Sequence, residues 1–269
     1  MIPESFKYMR ADDMEHVLSL LSNSSEDIQI LAGCHSLLPL LKMRMGMADT
    51  VLDVQNIPDL KGIQIETSHI RIGAMTTHAE LTEHAELNRE WPIFAQTGIQ
   101  IADAQVRNHG TIGGSVCLAD PSSDWPVILC LLNAELLLKS QTGERIVPFD
   151  EFVLGAMDCD LQEFEILTEI RIPRNSLTCR SSYQKFRHPA SGYAVASAAG
   201  YALYDGNNLV EKRLAIGGTA EKPYQAGFDA ADVCSDAEVL SDHFAPSAYR
   251  ASLANTMAKR ARRACLNPI

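Results

Sequence analysis

The residues best placed to do chemistry are two short runs rich in glycine, serine and threonine. The first is Ala32-Gly33-Cys34-His35-Ser36-Leu37 and the second is Thr111-Ile112-Gly113-Gly114-Ser115. A strand that stops in such a loop and opens a helix leaves several backbone N–H groups unpaired. Glycine admits positive φ and lets that backbone approach a ligand closely. Consecutive N–H groups then form a nest for an anion, and a phosphate suits it. Two such loops are able to hold the two phosphates of a dinucleotide from opposite sides, with the hydroxyls as further donors. Taken singly, each loop also reads as a tight turn. Other chemistry is missing: there is no GxxxxGK(S/T), no GxGxxG after a strand, no HExxH and no GxSxG. The histidines show no ligand spacing on one face.

The elements around the loops read as follows. Met14, Val17, Leu18 and Leu21 recur at helical spacing behind Asp12 and Asp13, which predicts an amphipathic helix. Ile28 to Ala32 reads as a buried strand running into the first loop. A helix over Leu37 to Met45 follows, with Pro39 tolerated in its first turn. Thr50 to Val54 is a second strand, so the first 60 residues have the α-β-α-β grammar of a small parallel sheet. From Gly62 the pattern changes to alternation, with a hairpin of Gly62–Glu66 and His69–Gly73. Helices are expected over Thr77–Leu87, Trp91–Ile101 and Asp124–Leu132, and a glycine-rich loop over Asn108–Ser115. A second hairpin joins Ala134–Ser140 to Glu144–Val147, and Glu165–Ile172 reads as a strand. Pro173 to Cys179 is the best linker. Beyond it, strands over Val195–Tyr204 and Leu209–Ile216 flank the turn Asp205-Gly206-Asn207-Asn208. A basic helix closes the chain over Pro246–Cys265.

Composition bounds the function. The 269 residues suggest about two domains, and 46% hydrophobic with 21% charged residues excludes bulk disorder. A net charge of −11 argues against nucleic acid or an anionic membrane as the main partner. The apolar run Pro126–Lys139 is broken by Asn133 and Glu135 and is too short and polar to span a bilayer. The N-terminus lacks the apolar core of a signal peptide. Seven cysteines at 34, 117, 130, 159, 179, 234 and 265 make no CxxC. No disulfide framework or metal centre is therefore expected, and a reducing, cytoplasmic compartment is.

In combination and order, the motifs resemble the medium, FAD-binding subunits of molybdenum hydroxylases. These are the medium subunits of carbon monoxide dehydrogenase and the FAD-binding subunits of xanthine dehydrogenase. The resemblance is carried by LAGCHSLLPLLKMRM (31–45), VLDVQNIPDLKGI (51–63), IRIGAMTTHAEL (70–81), IADAQVRNHGTIGGS (101–115), DPSSDWP (120–126), EILTEIRIP (165–173) and YQKFRHPASGYAVASAA (183–199). It implies an α+β fold: a two-part FAD-binding module of the vanillyl-alcohol-oxidase-like type, then a small C-terminal α+β domain. The module would span 1–175, with a small parallel α/β part over 1–60 and a larger, mainly antiparallel sheet part over 61–175. The C-terminal domain would span 180–269.

The resemblance also implies a site. The backbone of Ala32, Gly33, Cys34, His35, Ser36 and Leu37 would grip the FAD diphosphate together with Thr111, Gly113, Gly114 and Ser115. Ile101 and Ala102 belong to the same cofactor-contacting motif. Asp124 would bond toward the ribose, and Ile166 and Leu167 would line the adenine or flavin edge. Lys185 would lie near the flavin, where its charge suits a reduced ring, and Tyr193 matches the aromatic packed near the isoalloxazine. No side chain of this chain is expected to be catalytic. Molybdopterin and 2Fe-2S clusters would sit in a large and a small partner subunit, in a dimer of heterotrimers. Electrons would leave through the FAD to an external acceptor. Three positions depart from the family pattern: Cys34 replaces a usual glycine, Ser115 a usual asparagine and Gly192 a frequent aspartate. Two other functions stay open on the residues alone, a free-standing flavin oxidoreductase and a scaffold subunit that has lost FAD.

Overall fold

The computed structural model describes residues 2–23, 26–46 and 48–266. The expected domain ends at 1 and 267–269 lie outside the described residues. The chain begins with β1 (Lys7–Arg10), α1 (Met14–Asn23), β2 (Ile28–Leu31), α2 (Leu37–Met43) and β3 (Thr50–Asp53). These strands form a parallel sheet in the order β1-β3-β2. β3 is central and buried along its length, whereas β1 is a largely exposed edge. That exposure explains why Lys-Tyr-Met-Arg carries no alternation that would announce a strand.

The middle of the chain runs β4 (Ile63–Ile65), β5 (His69–Gly73), α3 (His78–Glu83), α4 (Ala85–Glu90), α5 (Ile93–Gly98), α6 (Ala104–Arg107), α7 (Ile112–Leu118) and α8 (Trp125–Leu131). It continues through β6 (Glu135–Ser140), β7 (Gly143–Pro148), α9 (Phe149–Phe152), β8 (Val153–Gly155), β9 (Asp158–Cys159) and β10 (Ile166–Pro173). Five of these strands make a fully antiparallel sheet, β4-β5-β10-β6-β7. Two sequence expectations are corrected here. The single helix over Thr77–Leu87 is broken at His84, whose extended backbone ends α3 while its Nδ1 accepts from the Leu87 N–H. The Asn88 side-chain amide donates to the carbonyls of Leu81, Thr82 and His84, satisfying the backbone that the break exposes. The loop expected over Asn108–Ser115 ends at Thr111, and the glycines after it form the first turn of α7.

The remainder is β11 (Thr178–Arg187), β12 (Ala194–Asp205), β13 (Asn208–Gly217), β14 (Tyr224–Ala226) and α10 (Ser247–Leu266). The four strands form one antiparallel sheet in chain order. The linker is shorter than expected, because β11 already begins at Thr178. β11 escaped the sequence pattern because its composition is mostly polar. β12 is buried almost throughout since both faces are covered. Ala199, Tyr201 and Leu203 turn to the core built around Trp91, Phe94 and Trp125, while Ala196, Ala198 and Ala202 turn to α10. The fold class implied by the resemblance is the one observed.

Candidate functional site

A cleft of about 1000 Å³ opens where the parallel sheet, the antiparallel sheet and β11 meet. Every site residue named from the sequence lines it. Ala32, Gly33, Cys34, His35, Ser36 and Leu37 come from the β2–α2 loop, and Ile101 and Ala102 from the bend after α5. Thr111, Gly113, Gly114 and Ser115 come from the start of α7, and Asp124 from the start of α8. Ile166 and Leu167 lie on β10, Lys185 on β11 and Tyr193 just before β12.

The two loops are built differently. Among the described residues, no acceptor faces the N–H groups of Gly33, Cys34, His35 and Ser36. That leaves a run of four donors at the open end of β2. In the second loop the donors are already engaged. Ile112 N–H bonds to Thr76 O at 3.0 Å, Gly113 N–H to Ala74 O at 2.9 Å and Ser115 N–H to Thr111 O at 3.1 Å. The Thr111 hydroxyl accepts from Gly114 N–H at 3.1 Å and caps α7. The expectation of two equivalent nests is corrected: the second loop contributes shape more than free N–H groups. Its glycines are needed for packing. A Cβ on Gly113 would lie 2.6 Å from Ala74 O, and one on Gly33 would strike the His109 carbonyl and sit 2.7 Å from the Gly110 Cα. Backbone thus meets backbone where the two loops cross.

Cys34 adopts φ 66°, the left-handed region in which glycine is free and other residues carry strain. Gln55 Nε2 donates to its sulfur at 3.3 Å. Burial, aided by the Asp53 carboxylate, pushes the Cys34 thiol up, so it is a thiol and not a reactive thiolate. Gly192 takes φ 77°, which accounts for glycine at that departure from the family pattern.

Asp124 and Lys185 reach the cleft as a pair. Lys185 Nζ lies 2.9 Å from the carboxylate, and their side chains are 1% and 6% exposed. The Tyr183 hydroxyl donates to the same carboxylate. Burial pushes the Asp124 carboxyl up, opposed by Lys185 and Tyr183. Lys185 is therefore a compensated charge rather than a free cation. Burial raises the Tyr193 hydroxyl, with Asp120 and Asp124 adding to the shift and the Ser36 hydroxyl opposing it.

Sequence reasoning missed His78, which also lines the cleft. Its Nδ1 accepts the Trp125 indole N–H at 2.8 Å, and burial lowers its pKa to about 4, with His35 and Arg107 adding to the shift. It also missed Cys159 to Glu165, where Arg145 pairs with Asp160 and Glu165. Neither segment carries a local signal, because the partners come from distant parts of the chain.

The family described as FAD binding domain in molybdopterin dehydrogenase matches residues 4–175. The chain belongs to this family. The carbon monoxide dehydrogenase medium chain of Hydrogenophaga pseudoflava is 32% identical over 281 residues, covering 97% of both chains. The glyceraldehyde dehydrogenase medium chain of Sulfolobus acidocaldarius is 34% identical over 226 residues, 84% of this chain and 80% of that one. Reconstituted CO dehydrogenase from Oligotropha carboxidovorans superposes with a TM-score of 0.93 at 32% identity over 100% of both chains. The chain is thus an FAD-binding, medium-subunit-type component of molybdenum hydroxylase complexes, an oxidoreductase subunit with FAD as its cofactor. The cleft fits that cofactor: free N–H groups face it at one loop, and at both loops glycines stand where a side chain would not fit.

Proposed function

We propose that this chain passes electrons from iron–sulfur clusters of a small partner subunit, through FAD held in the cleft, to an external acceptor. A large molybdopterin subunit of the same complex hydroxylates the substrate. The observation that carries the assignment of the cleft is the run of free N–H groups from Gly33 to Ser36 beside the packed glycines of the second loop. The flavin supplies the redox chemistry when bound, and the protein supplies position and electrostatics.

The residues divide that work. Ala32 to Leu37 hold the diphosphate through their backbone, while Thr111, Gly113, Gly114 and Ser115 close over it. Ile101 and Ala102 border the same end. Asp124, oriented by Lys185 and Tyr183, faces the ribose, and the pair keeps a nearly neutral wall beside the flavin. Ile166 and Leu167 give the ring system an apolar edge, and Tyr193 covers it. The FAD module extends to about residue 175 and the C-terminal domain starts near 180, as the family match over 4–175 supports. The complex is a cytoplasmic dimer of heterotrimers. Among the described residues, no helix is long and apolar enough to cross a membrane. The relatives' names include both carbon monoxide and glyceraldehyde dehydrogenases, in keeping with a substrate pocket on another polypeptide.

The visible spectrum of the purified chain, alone and with its partner subunits, tests this. Bands near roughly 370 and 450 nm are expected of the oxidised flavin. Protein that stays colourless after FAD addition with partners present would overturn the proposal.

A further inference from the structure

Asp124, Lys185 and Tyr183 form a buried cluster of ionisable groups at the wall of the cleft. Tyr183 and Lys185 are two positions apart on β11 and share one face of it, and Asp124 stands just before α8. Lys185 Nζ lies 2.9 Å from each oxygen of the Asp124 carboxylate, and Oδ1 also accepts the Tyr183 hydroxyl. A further ammonium N–H bonds to the Gln100 carbonyl at 3.5 Å. Both charged side chains are almost fully buried, yet both residues line the cleft. Their charges cancel only while the carboxyl is ionised. Burial already pushes that carboxyl up, and Lys185, Tyr183 and, further along β11, Arg187 hold it down. Tyr193, from the loop before β12, senses the charges of Asp120 and Asp124, so the carboxylate stands at the end of the cleft where Tyr193 lies. His78 reaches the same start of α8 through the Trp125 indole and is neutral near pH 7.

We propose that Asp124 takes up a proton when the flavin in the cleft is reduced and releases it when the electrons leave, with Lys185 as the uncovered positive charge in between. This rests on the assignment of the cleft to FAD and goes beyond it, because the neutral wall becomes a switched one. Two electrons from the iron–sulfur clusters, arriving with one proton, add a net negative charge to the cleft. A new anion beside a buried carboxylate disfavours its ionised form, and the low polarity around the pair strengthens that interaction. Asp124 responds by taking a second proton from solvent at Oδ2, the oxygen to which Tyr183 does not donate. The Lys185 ammonium is then no longer cancelled and offsets the added negative charge. Two electrons and two protons are held in all, one of the protons on Asp124, and both protons return to solvent when the acceptor takes the electrons. Tyr183 is a positioning residue. Its hydroxyl stabilises the carboxylate and so sets the pH range in which the proton is taken.

The test measures the midpoint potential of the FAD-loaded full chain against pH, by dye-equilibrated redox titration. A tenfold change in proton concentration moves a two-electron couple by about 30 mV for each proton taken up. Above neutrality the wild-type potential is expected to fall by about 60 mV per pH unit, two protons for two electrons. Asp124→Asn, which keeps the shape and removes the charge, is expected to fall by about 30 mV per pH unit. The reduced-minus-oxidised infrared difference spectrum is expected to gain a protonated-carboxyl band in the wild type that Asp124→Asn lacks. Tyr183→Phe keeps the ring in the core and the carboxyl in place but loses the donor, so the steep part of its profile moves to higher pH. Equal slopes in the wild type and Asp124→Asn, or no carboxyl band in the wild type, would overturn the proposal. The flavin spectrum of the loaded chain leaves the cleft assignment intact in that case. If Asp124→Asn holds no FAD, Tyr183→Phe decides, and an unmoved profile overturns the proposal. A wild-type chain that binds no FAD would instead overturn the cleft assignment itself.

Discussion

Cys34 shows how one residue can depart from a family pattern while keeping the backbone conformation to which the usual glycine is suited. Its positive φ is the conformation for which the usual glycine is suited, and the sulfur is held by Gln55. Left-handed backbone at a side-chain-bearing residue costs on the order of 1–2 kcal/mol, partly offset by the entropy that glycine loses on folding. Cys34→Gly should therefore stabilise the chain by roughly 0.5–1 kcal/mol in urea unfolding. His78 carries a pH dependence of definite sign. Its pKa falls from 6.5 to about 4 because the buried ring resists charging. Below pH 6.5 the unfolded chain takes a proton that the folded chain refuses until about pH 4, so stability drops across that window. By linkage the loss reaches about 2 kcal/mol at pH 5. His78→Gln should flatten the fall in unfolding free energy between pH 7 and pH 5. An unchanged slope would contradict the assignment.

At the scale of elements, α7 separates packing from binding within one turn. Gly113 is hemmed in by Ala74 backbone, whereas a Cβ on Gly114 would meet only the Thr111 hydroxyl at 3.0 Å and Ala32 at 3.7 Å. Gly113→Ala should thus lower thermal stability by forcing α7 off β5, an overpacking cost of about 1–3 kcal/mol. Gly114→Val should leave the melting temperature nearly unchanged while abolishing FAD retention, read from the absorbance of the purified protein. The capping box at Thr77 and Glu80 and the Thr111 cap were local patterns open to sequence reasoning. The broken helix at His84 was not, because Asn88 and His84 take over hydrogen bonds that the apolar spacing does not register. β11 was hidden because its residues are mostly polar and carry no apolar alternation, although Tyr183 is buried in the central core and Lys185 lines the cleft.

Across the whole molecule, the C-terminal sheet is part of the site's support. Gly218 N–H donates to Pro121 O at 3.0 Å and Ala194 N–H to Ser122 O at 3.2 Å, so β12 and β13 hold the turn that leads into Asp124. Gly217 packs against Val127 of α8, and a Cβ there would sit 2.9 Å from the Ser197 hydroxyl. Arg250 of α10 donates to the carbonyls of Val195 and Gly218 at 2.7 Å and closes the same junction. Gly217→Val, more than 90 residues from either glycine loop in sequence, should lower the melting temperature and weaken FAD affinity together. FAD affinity that persists at wild-type level in a destabilised Gly217→Val protein would show that the turn is positioned without the C-terminal sheet.

The sequence by itself determined most of the element order, the two glycine loops, the family and many of the residues that border the cleft. Those signals are local runs of side-chain type and spacing, and short ordered motifs preserve them. Only the tertiary structure decided which donors are free. Thr76 O and Ala74 O reach the second loop from 36 and 39 positions away and consume its N–H groups, while among the described residues no acceptor reaches the N–H groups of Gly33 to Ser36. Tertiary structure likewise turned Lys185 from a free cation into the partner of Asp124, and buried His78 against the Trp125 indole N–H. Hydrogen bonds and charges are settled by whatever the folded chain places beside them, and the neighbours here come from other sheets and other helices.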